Sequence, residues 1–171
     1  MTFRPMPLRI ETERLLLTPE EPSDAEWLTE LLNARGTDTF TVVDALERID
    51  AMTKTIETTG IGARVLRKRP DGEALGYTAI VVGRCSLDEP ELAYELLPRA
   101  HGHGFATEAA RALLAAAFET GRSRIWATIR PWNAPSLRVA DKLGFRLDHH
   151  TTDPGGEVVW MVAERPATAP S

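Results

Sequence analysis

Cysteine and long apolar runs are what this sequence most clearly lacks. Cys85 is the only cysteine among 171 residues, which excludes internal disulfides and a cysteine-based zinc site. No apolar run approaches the roughly 18 residues of a membrane-spanning helix, and the opening MTFRPMPLRI lacks the apolar region of a signal peptide. We therefore expect a cytoplasmic protein that does not enter a membrane.

An excess of positive charge is also missing, since the formal net charge is −5. This balance argues against broad nucleic-acid binding. An anionic ligand would have to be held by a local arrangement of groups and not by the overall field of the protein. A cationic acceptor such as an amine is compatible with the charge.

The sequence contains no internal repeat and no low-complexity segment that would divide it. Its length and its hydrophobic content of 43% fit one domain with a sizeable core. We place that domain at residues 1–165. We expect the remaining segment, residues 166–171, to form a disordered tail because it is short, terminal and rich in Pro and Ala.

Apolar periodicity and turn residues predict the element order β-α-α-β-β-β-α-β-α-β-β, which is a mixed α/β sandwich. Ser23 with Glu26 predicts a capping box at the start of the first helix, and Asp44 with Glu47 suggests the start of the second. Pro70-Asp71-Gly72 predicts a hairpin turn between two strands.

A glycine-rich turn, HGHGFAT at residues 101–107, separates the apolar run ELAYELL from a long Ala/Leu helical pattern. Glycines let a backbone approach a ligand closely, and the first N–H groups of a helix have no partner within the helix. Such a turn predicts an anion site. The alternative is a helix start where small residues only permit tight packing.

Two common phosphate motifs do not fit this turn. A P-loop requires a Lys after the glycines, and none follows here. A dinucleotide fingerprint requires Gly or Ala where Thr107 stands, and an acidic residue about 20 positions on, whereas the next strand ends in Arg130-Pro131.

Downstream of the turn, NAPSLRVADKLGF at residues 133–145 follows the apolar strand RIWATIR. With the opening ETERLLLTPEEPSDAEWLTELL and the turn segment AYELLPRAHGHGFATEAARALL, it resembles the GNAT superfamily of acyl-CoA-dependent N-acetyltransferases. The likeness is closest to the RimJ/RimL type, which acetylates protein N-termini. The three segments come in the family's order and span residues 11–145.

The resemblance implies a central, mostly antiparallel sheet that splays between its fourth and fifth strands. It implies that the pantetheine arm of acetyl-CoA lies beside the fourth strand at Glu95, Leu96 and Leu97. The backbone N–H of Leu96 or of Leu97 would stabilise the oxyanion. The resemblance places the diphosphate on the turn formed by His101, Gly102, His103, Gly104, Phe105, Ala106 and Thr107. His101 departs from the family's Arg or Gln.

Many members of the superfamily protonate the leaving thiolate with a Tyr seven residues after the Asn, and Ala140 stands there in this chain. Ser136 matches the N-terminus-acetylating branch, and its hydroxyl could donate to the thiolate. The alternative is that Ser136 only caps the short helix. Asn133 would hydrogen-bond the pantetheine, or it is a plain turn residue.

Glu95 is the candidate general base, acting directly or through water, and its neighbour Tyr94 is the third catalytic candidate. Strand alternation turns the two side chains to opposite faces, so one of them could point away from the site. Lys142 and Arg138, one helical turn apart, could meet phosphates or form a solvated face. We expect no metal, because His101 and His103 have no further ligand at suitable spacing.

The resemblance thus implies transfer of an acetyl group from acetyl-CoA to a primary amine, by direct attack in a ternary complex. The acceptor would be a protein N-terminus or a small-molecule amine, and a homodimer is common in the family. One alternative is a non-catalytic acyl-CoA-binding module on the same fold. Another is a nucleotide-binding protein unrelated to CoA.

Overall fold

Eight strands and four α-helices form residues 2–167, the part of the chain that the computed structural model describes. The strands are β1 (Ile10–Glu11), β2 (Leu15–Thr18), β3 (Ala63–Lys68), β4 (Glu73–Val81), β5 (Glu91–Leu96), β6 (Arg124–Ile129), β7 (Arg146–Asp153) and β8 (Gly156–Glu164). The helices are α1 (Ala25–Ala34), α2 (Val42–Thr59), α3 (Phe105–Glu119) and α4 (Ala134–Lys142). Of the expected disordered tail, residues 168–171 lie outside the described residues.

The strands form one sheet in the order β1-β2-β3-β4-β5-β6-β8-β7. Neighbouring strands are antiparallel except β5 and β6, which are parallel and pair only at Glu91 and Trp126. Beyond that pair the two strands diverge. Since β5 and β6 are the fourth and fifth strands of the predicted order, the predicted mixed α/β fold with its splayed sheet is confirmed.

Helices cover both faces of the central part of the sheet. Residues of α3 pack with Ile80, Leu92 and Ile125 in the largest apolar cluster, while α1 and α2 pack together with Leu97 and Tyr77. Because side chains alternate along a strand, even-numbered residues of β5 face α3 and odd-numbered ones face α1. Neighbouring residues of β5 are therefore presented to different layers.

Two helix starts differ from their predictions. The first capping box is formed by Glu21 and Asp24 around a short 3₁₀ turn at Pro22–Asp24, and not by Ser23 with Glu26. The second is formed by Thr41 and Asp44, and not by Asp44 with Glu47. Thr41 has the extended backbone that a capping residue needs, and its Oγ1 accepts from the Asp44 N–H at 3.2 Å.

The additional strand β1 was not predicted. It has two residues, paired to Leu16 and Leu17 of β2, and two residues are too few to show a period-two pattern. The predicted hairpin turn at residues 70–72 does connect β3 to β4.

Candidate active site

A cavity of 680 Å³ lies where β5 and β6 diverge. Its walls come from α1, β5, the turn before α3, and α4, so it receives residues from both faces of the sheet. The predicted site residues that line it are Tyr94, Glu95, Leu96, His101, Gly102, Gly104, Phe105, Ala106, Thr107, Asn133, Ser136 and Lys142.

Two predicted cofactor residues, Leu97 and His103, do not line this cavity. The Leu97 side chain, one residue beyond the end of β5, is fully buried among apolar residues of α1 and α2. His103 is exposed, and its carbonyl accepts a hydrogen bond from Arg14 Nη1 at 2.8 Å. Contact between the cofactor and the backbone of these two residues stays a prediction.

The glycine turn has the shape that an anion site requires. Gly102 and Gly104 have φ values of +81° and +78°, which favour glycine. A Cβ at Gly102 would meet no atom within 4 Å, and one at Gly104 would meet only Arg14 Nη2 at 3.5 Å. Gly104 is the N-cap of α3, so the first N–H groups of that helix have no partner within it. The turn leaves room for a phosphate beside free donors.

The ring of His101 links this turn to the end of β5 by a hydrogen bond. Its Nε2 lies 2.9 Å from the Leu96 carbonyl oxygen, and since a carbonyl only accepts, Nε2 carries the hydrogen. The side chain that departs from the family pattern therefore has a defined contact within the protein.

Hydrogen bonding along β5 distinguishes the two candidate oxyanion donors. The Leu97 N–H donates to the Leu75 carbonyl at 2.9 Å, so it is occupied by β4. In an antiparallel ladder successive N–H groups point to opposite sides, which directs the N–H groups of Tyr94 and Leu96 toward the gap beside β6. Of the two predicted donors, the Leu96 N–H is the one that this geometry turns toward the gap.

Tyr94 joins β5 to the start of α4. Its hydroxyl donates to the Ser136 carbonyl at 2.7 Å and accepts from Ser136 Oγ at 3.2 Å. Burial raises the pKa of Tyr94, so the phenol stays protonated at neutral pH. The helix cap is Asn133, whose Oδ1 accepts from the Ser136 N–H at 3.3 Å. The alternative in which Ser136 caps α4 is therefore wrong.

Glu95 points to the opposite face, toward α1. Its carboxylate accepts from Arg35 Nε at 2.8 Å and 3.1 Å, and also from Arg35 Nη2. The Tyr77 hydroxyl lies 3.3 Å from the same carboxylate. The hydrogen bond to Glu95 raises the pKa of Arg35, and burial with the nearby charge of Glu95 raises that of Tyr77 to about 12. The Glu95 carboxylate thus lies at the cavity wall in a bidentate ion pair with Arg35.

Several lining residues were missed by sequence reasoning. Arg35, with Leu31 and Ala34, brings the end of α1 to the cavity, and nothing in the local sequence indicates that the helix end lies over β5. Arg138 lines the cavity with Lys142 from one face of α4, and that pair was recognised from its spacing.

Within residues 2–167 no group of three or more His, Cys, Asp and Glu side chains is arranged to hold a metal ion. Over the same range no helix is long and apolar enough to cross a membrane.

The family model described as "Acetyltransferase (GNAT) domain" matches residues 14–146. The chain belongs to the GNAT acetyltransferase family. The general reaction of this family is acetyl transfer from acetyl-CoA to an amine, and the glycine turn, the splayed strands and the Asn133 segment all fall within the matched range.

A sequence relative, an uncharacterised N-acetyltransferase of Mycobacterium tuberculosis, is 31% identical over an alignment of 98 residues, and the match covers 52% of this chain. The match spans 62% of the length of that relative.

Solved GNAT structures share the fold. A protein from Bordetella pertussis, named as a GNAT-family acetyltransferase, superposes with a TM-score of 0.77 at 27% identity, over 90% of this chain and 98% of that one. RimJ of Mycobacterium smegmatis in complex with CoA-disulfide gives a TM-score of 0.72 at 21% identity, over 88% of this chain and 81% of that one.

Proposed function

We propose that this GNAT domain transfers an acetyl group from acetyl-CoA to a primary amine by direct attack in a ternary complex. The observation that carries the proposal is that one cavity joins a phosphate-type turn, the open edge of β5 and a carboxylate on the α1 side. An acetyl donor and an amine can therefore approach each other through the gap in the sheet.

On the donor side, the residues suit a long anionic thioester. Free N–H groups at the start of α3 suit the diphosphate, and Arg138 and Lys142 add positive charge at the same cavity. The Asn133 Oδ1 is occupied by the Ser136 N–H, so its amide nitrogen is the part that would meet the pantetheine arm.

At the reacting atoms, two groups have complementary tasks. The Leu96 N–H would donate to the acetyl oxygen as negative charge develops on it. The Ser136 hydroxyl, which contacts the Tyr94 hydroxyl at the gap, would turn to donate a hydrogen bond to the leaving thiolate and stabilise its negative charge.

On the acceptor side, Glu95 would attract the ammonium form of the amine and take up its proton, directly or through water. Arg35 and Tyr77 hold the carboxylate in a fixed position, which orients it for this task. The acceptor is a protein N-terminus or a small-molecule amine. The resemblance of the sequence motifs to the RimJ/RimL type favours the N-terminus, and a single free cysteine suits a cytoplasmic location.

A second candidate is a non-catalytic acyl-CoA-binding module. It is favoured by Ala140, which stands where many family members have the Tyr that protonates the leaving thiolate. Ala140 is fully buried in the core. On this hypothesis the cavity binds acetyl-CoA but releases no thiol in the presence of amines.

The test combines binding and turnover. Thermal unfolding is followed with acetyl-CoA, CoA, ATP and NAD, each at about 1 mM, where a ligand at 100 times its Kd adds about 2.7 kcal/mol. We expect acetyl-CoA and CoA to raise the unfolding midpoint by about 5–11 °C, and we expect no shift with ATP or NAD. A shift with ATP or NAD instead would overturn the proposal.

The variant that tests the glycine turn is Gly104→Asp, which places a carboxylate where the phosphate would bind. Gly72→Asp is the matched control. Gly72 has a similar φ of +82° and open space around it, but it lies in the β3–β4 hairpin. We expect only Gly104→Asp to abolish the acetyl-CoA shift. Thiol release with a panel of peptides and small amines then separates the enzyme from the binding module.

A further inference from the structure

Glu108, in the first turn of α3, is bound by the β1–β2 segment, and the proposed chemistry uses neither. Its carboxylate accepts from Thr12 Oγ1 at 2.6 Å, from the Arg14 N–H at 2.9 Å and from Arg14 Nε at 2.7 Å. Burial by itself raises the pKa of Glu108, but the hydrogen bonds from Thr12 and Arg14 outweigh it and bring the pKa below its ordinary value. The group is therefore an anion at neutral pH.

Arg14 extends from Glu108 to the glycine turn itself. Its Nη1 donates to the His103 carbonyl at 2.8 Å, and its guanidinium carbon lies 4.3 Å from the centre of the Phe105 ring. Its Nη2 lies 3.5 Å from the position of a Cβ at Gly104. The backbone of Arg14 is itself held, since its carbonyl accepts from the Arg69 N–H at 2.8 Å. One side chain thus contacts or borders three successive residues of the turn.

A turn with two left-handed glycines needs such support. Glycine loses more conformational freedom on ordering than any other residue, and a binding site that must order itself binds its ligand more weakly. An unpaired carboxylate in the first turn of α3 would also repel an anionic ligand. The Arg14 guanidinium restricts the conformation of the turn through its contact with His103 and neutralises the charge of Glu108.

We propose that Arg14 and Glu108 are positioning residues, which hold residues 101–106 in the shape that receives the diphosphate of acetyl-CoA. The inference rests on the proposed function, because it assigns the diphosphate to this turn. It also gives a task to the opening ETERLLL segment, which contributes Arg14 from outside the turn and helix that it supports.

The test compares two ligands that differ in the part the turn would hold. Glu108→Gln keeps the shape of the side chain and loses its charge, and Arg14→Lys keeps the charge and loses the fork that reaches both Glu108 and His103. Affinity for CoA is measured by calorimetry, and affinity for pantetheine, which lacks the diphosphate, by competition with a thioester probe. We expect each variant to bind CoA about tenfold more weakly and pantetheine as the wild type does.

The control is Glu30→Gln, which removes an exposed ion pair with Arg99 near the same cavity and should change neither affinity. Equal CoA affinity in the folded variants, or an equal loss for pantetheine, would overturn the inference. If one variant fails to fold, the other decides. A wild-type protein that binds no CoA would instead overturn the proposed function, so the two failures are distinct.

Discussion

At the scale of single residues, Glu20 shows how burial controls ionisation outside the cavity. Burial and the neighbouring charge of Asp24 raise the pKa of Glu20 to about 7, against a lowering by Arg48. The unfolded chain releases the same proton near pH 4.3. The contribution of Glu20 to the stability of the folded state therefore falls as the pH rises from about 4 to 7, and the loss is complete above that range.

We predict that Glu20→Gln is more stable than the wild type at pH 8, by about 3–4 kcal/mol, and differs little from it at pH 4. Urea unfolding at the two pH values measures the difference. Glu26→Gln, a matched change at an exposed position of α1, should show no such dependence on pH. A Glu20→Gln variant that is equally or less stable than the wild type at pH 8 would refute the prediction.

Residues whose task is local were predictable from the sequence. Gly102 and Gly104 were expected at a turn before a helix because that conformation depends on their own backbone. The role of Arg35 was not predictable, because its partner Glu95 lies 60 positions away in the chain. The role of Arg14 was not predictable either, because its partner Glu108 lies 94 positions away in the chain. Such contacts depend on how helices and strands pack, which local patterns do not specify.

At the scale of elements, β5 has two unlike edges. One edge is hydrogen-bonded to β4 from Gly76 to Val81, and the other is bonded to β6 only around Glu91. The apolar run ELAYELL predicted the strand, and the family resemblance implied the splay. The sequence alone did not show which N–H groups face the gap, because that depends on the register with β4.

We predict that hydrogen exchange will show this difference within the strand. The N–H groups of Ala93 and Glu95, which face β4, should exchange slowly with or without ligand. Those of Tyr94 and Leu96, which face the gap, should exchange faster and should slow when CoA is added. The measurement is amide exchange followed by NMR. Slow exchange of all four amides without CoA would mean that the gap offers no donors.

At the scale of the whole molecule, the N-terminal segment of residues 2–7 connects parts that are distant in sequence. The Arg4 N–H donates to the Thr120 carbonyl beyond α3, and the Met6 N–H donates to the Gly60 carbonyl beyond α2. Met6 is buried in the core that contains α3. Local sequence patterns predicted no structure for this segment, because its contacts are single hydrogen bonds to loops and follow no period.

The segment also accepts hydrogen bonds from a buried arginine. Arg64 is fully buried, and its Nε and Nη2 donate to the Pro7 carbonyl at 3.1 Å and 2.8 Å. Its Nη1 donates to the Ala63 carbonyl at 2.9 Å. Burial lowers the pKa of Arg64, and within residues 2–167 no carboxylate pairs with it. Its position therefore depends on Pro7.

We predict that deleting residues 2–7 will lower the free energy of unfolding in two separable ways. Loss of the buried Met6 side chain should cost about 2–3 kcal/mol, and the buried donors of Arg64 left without Pro7 should cost a further 1–3 kcal/mol, roughly. Arg64→Met removes the second cost, so the same deletion in that background should be milder by that amount. Urea unfolding of the four proteins in this cycle measures the coupling. Equal costs in both backgrounds would show that Arg64 does not need the segment, and that the segment stabilises the fold through Met6 and its backbone bonds alone.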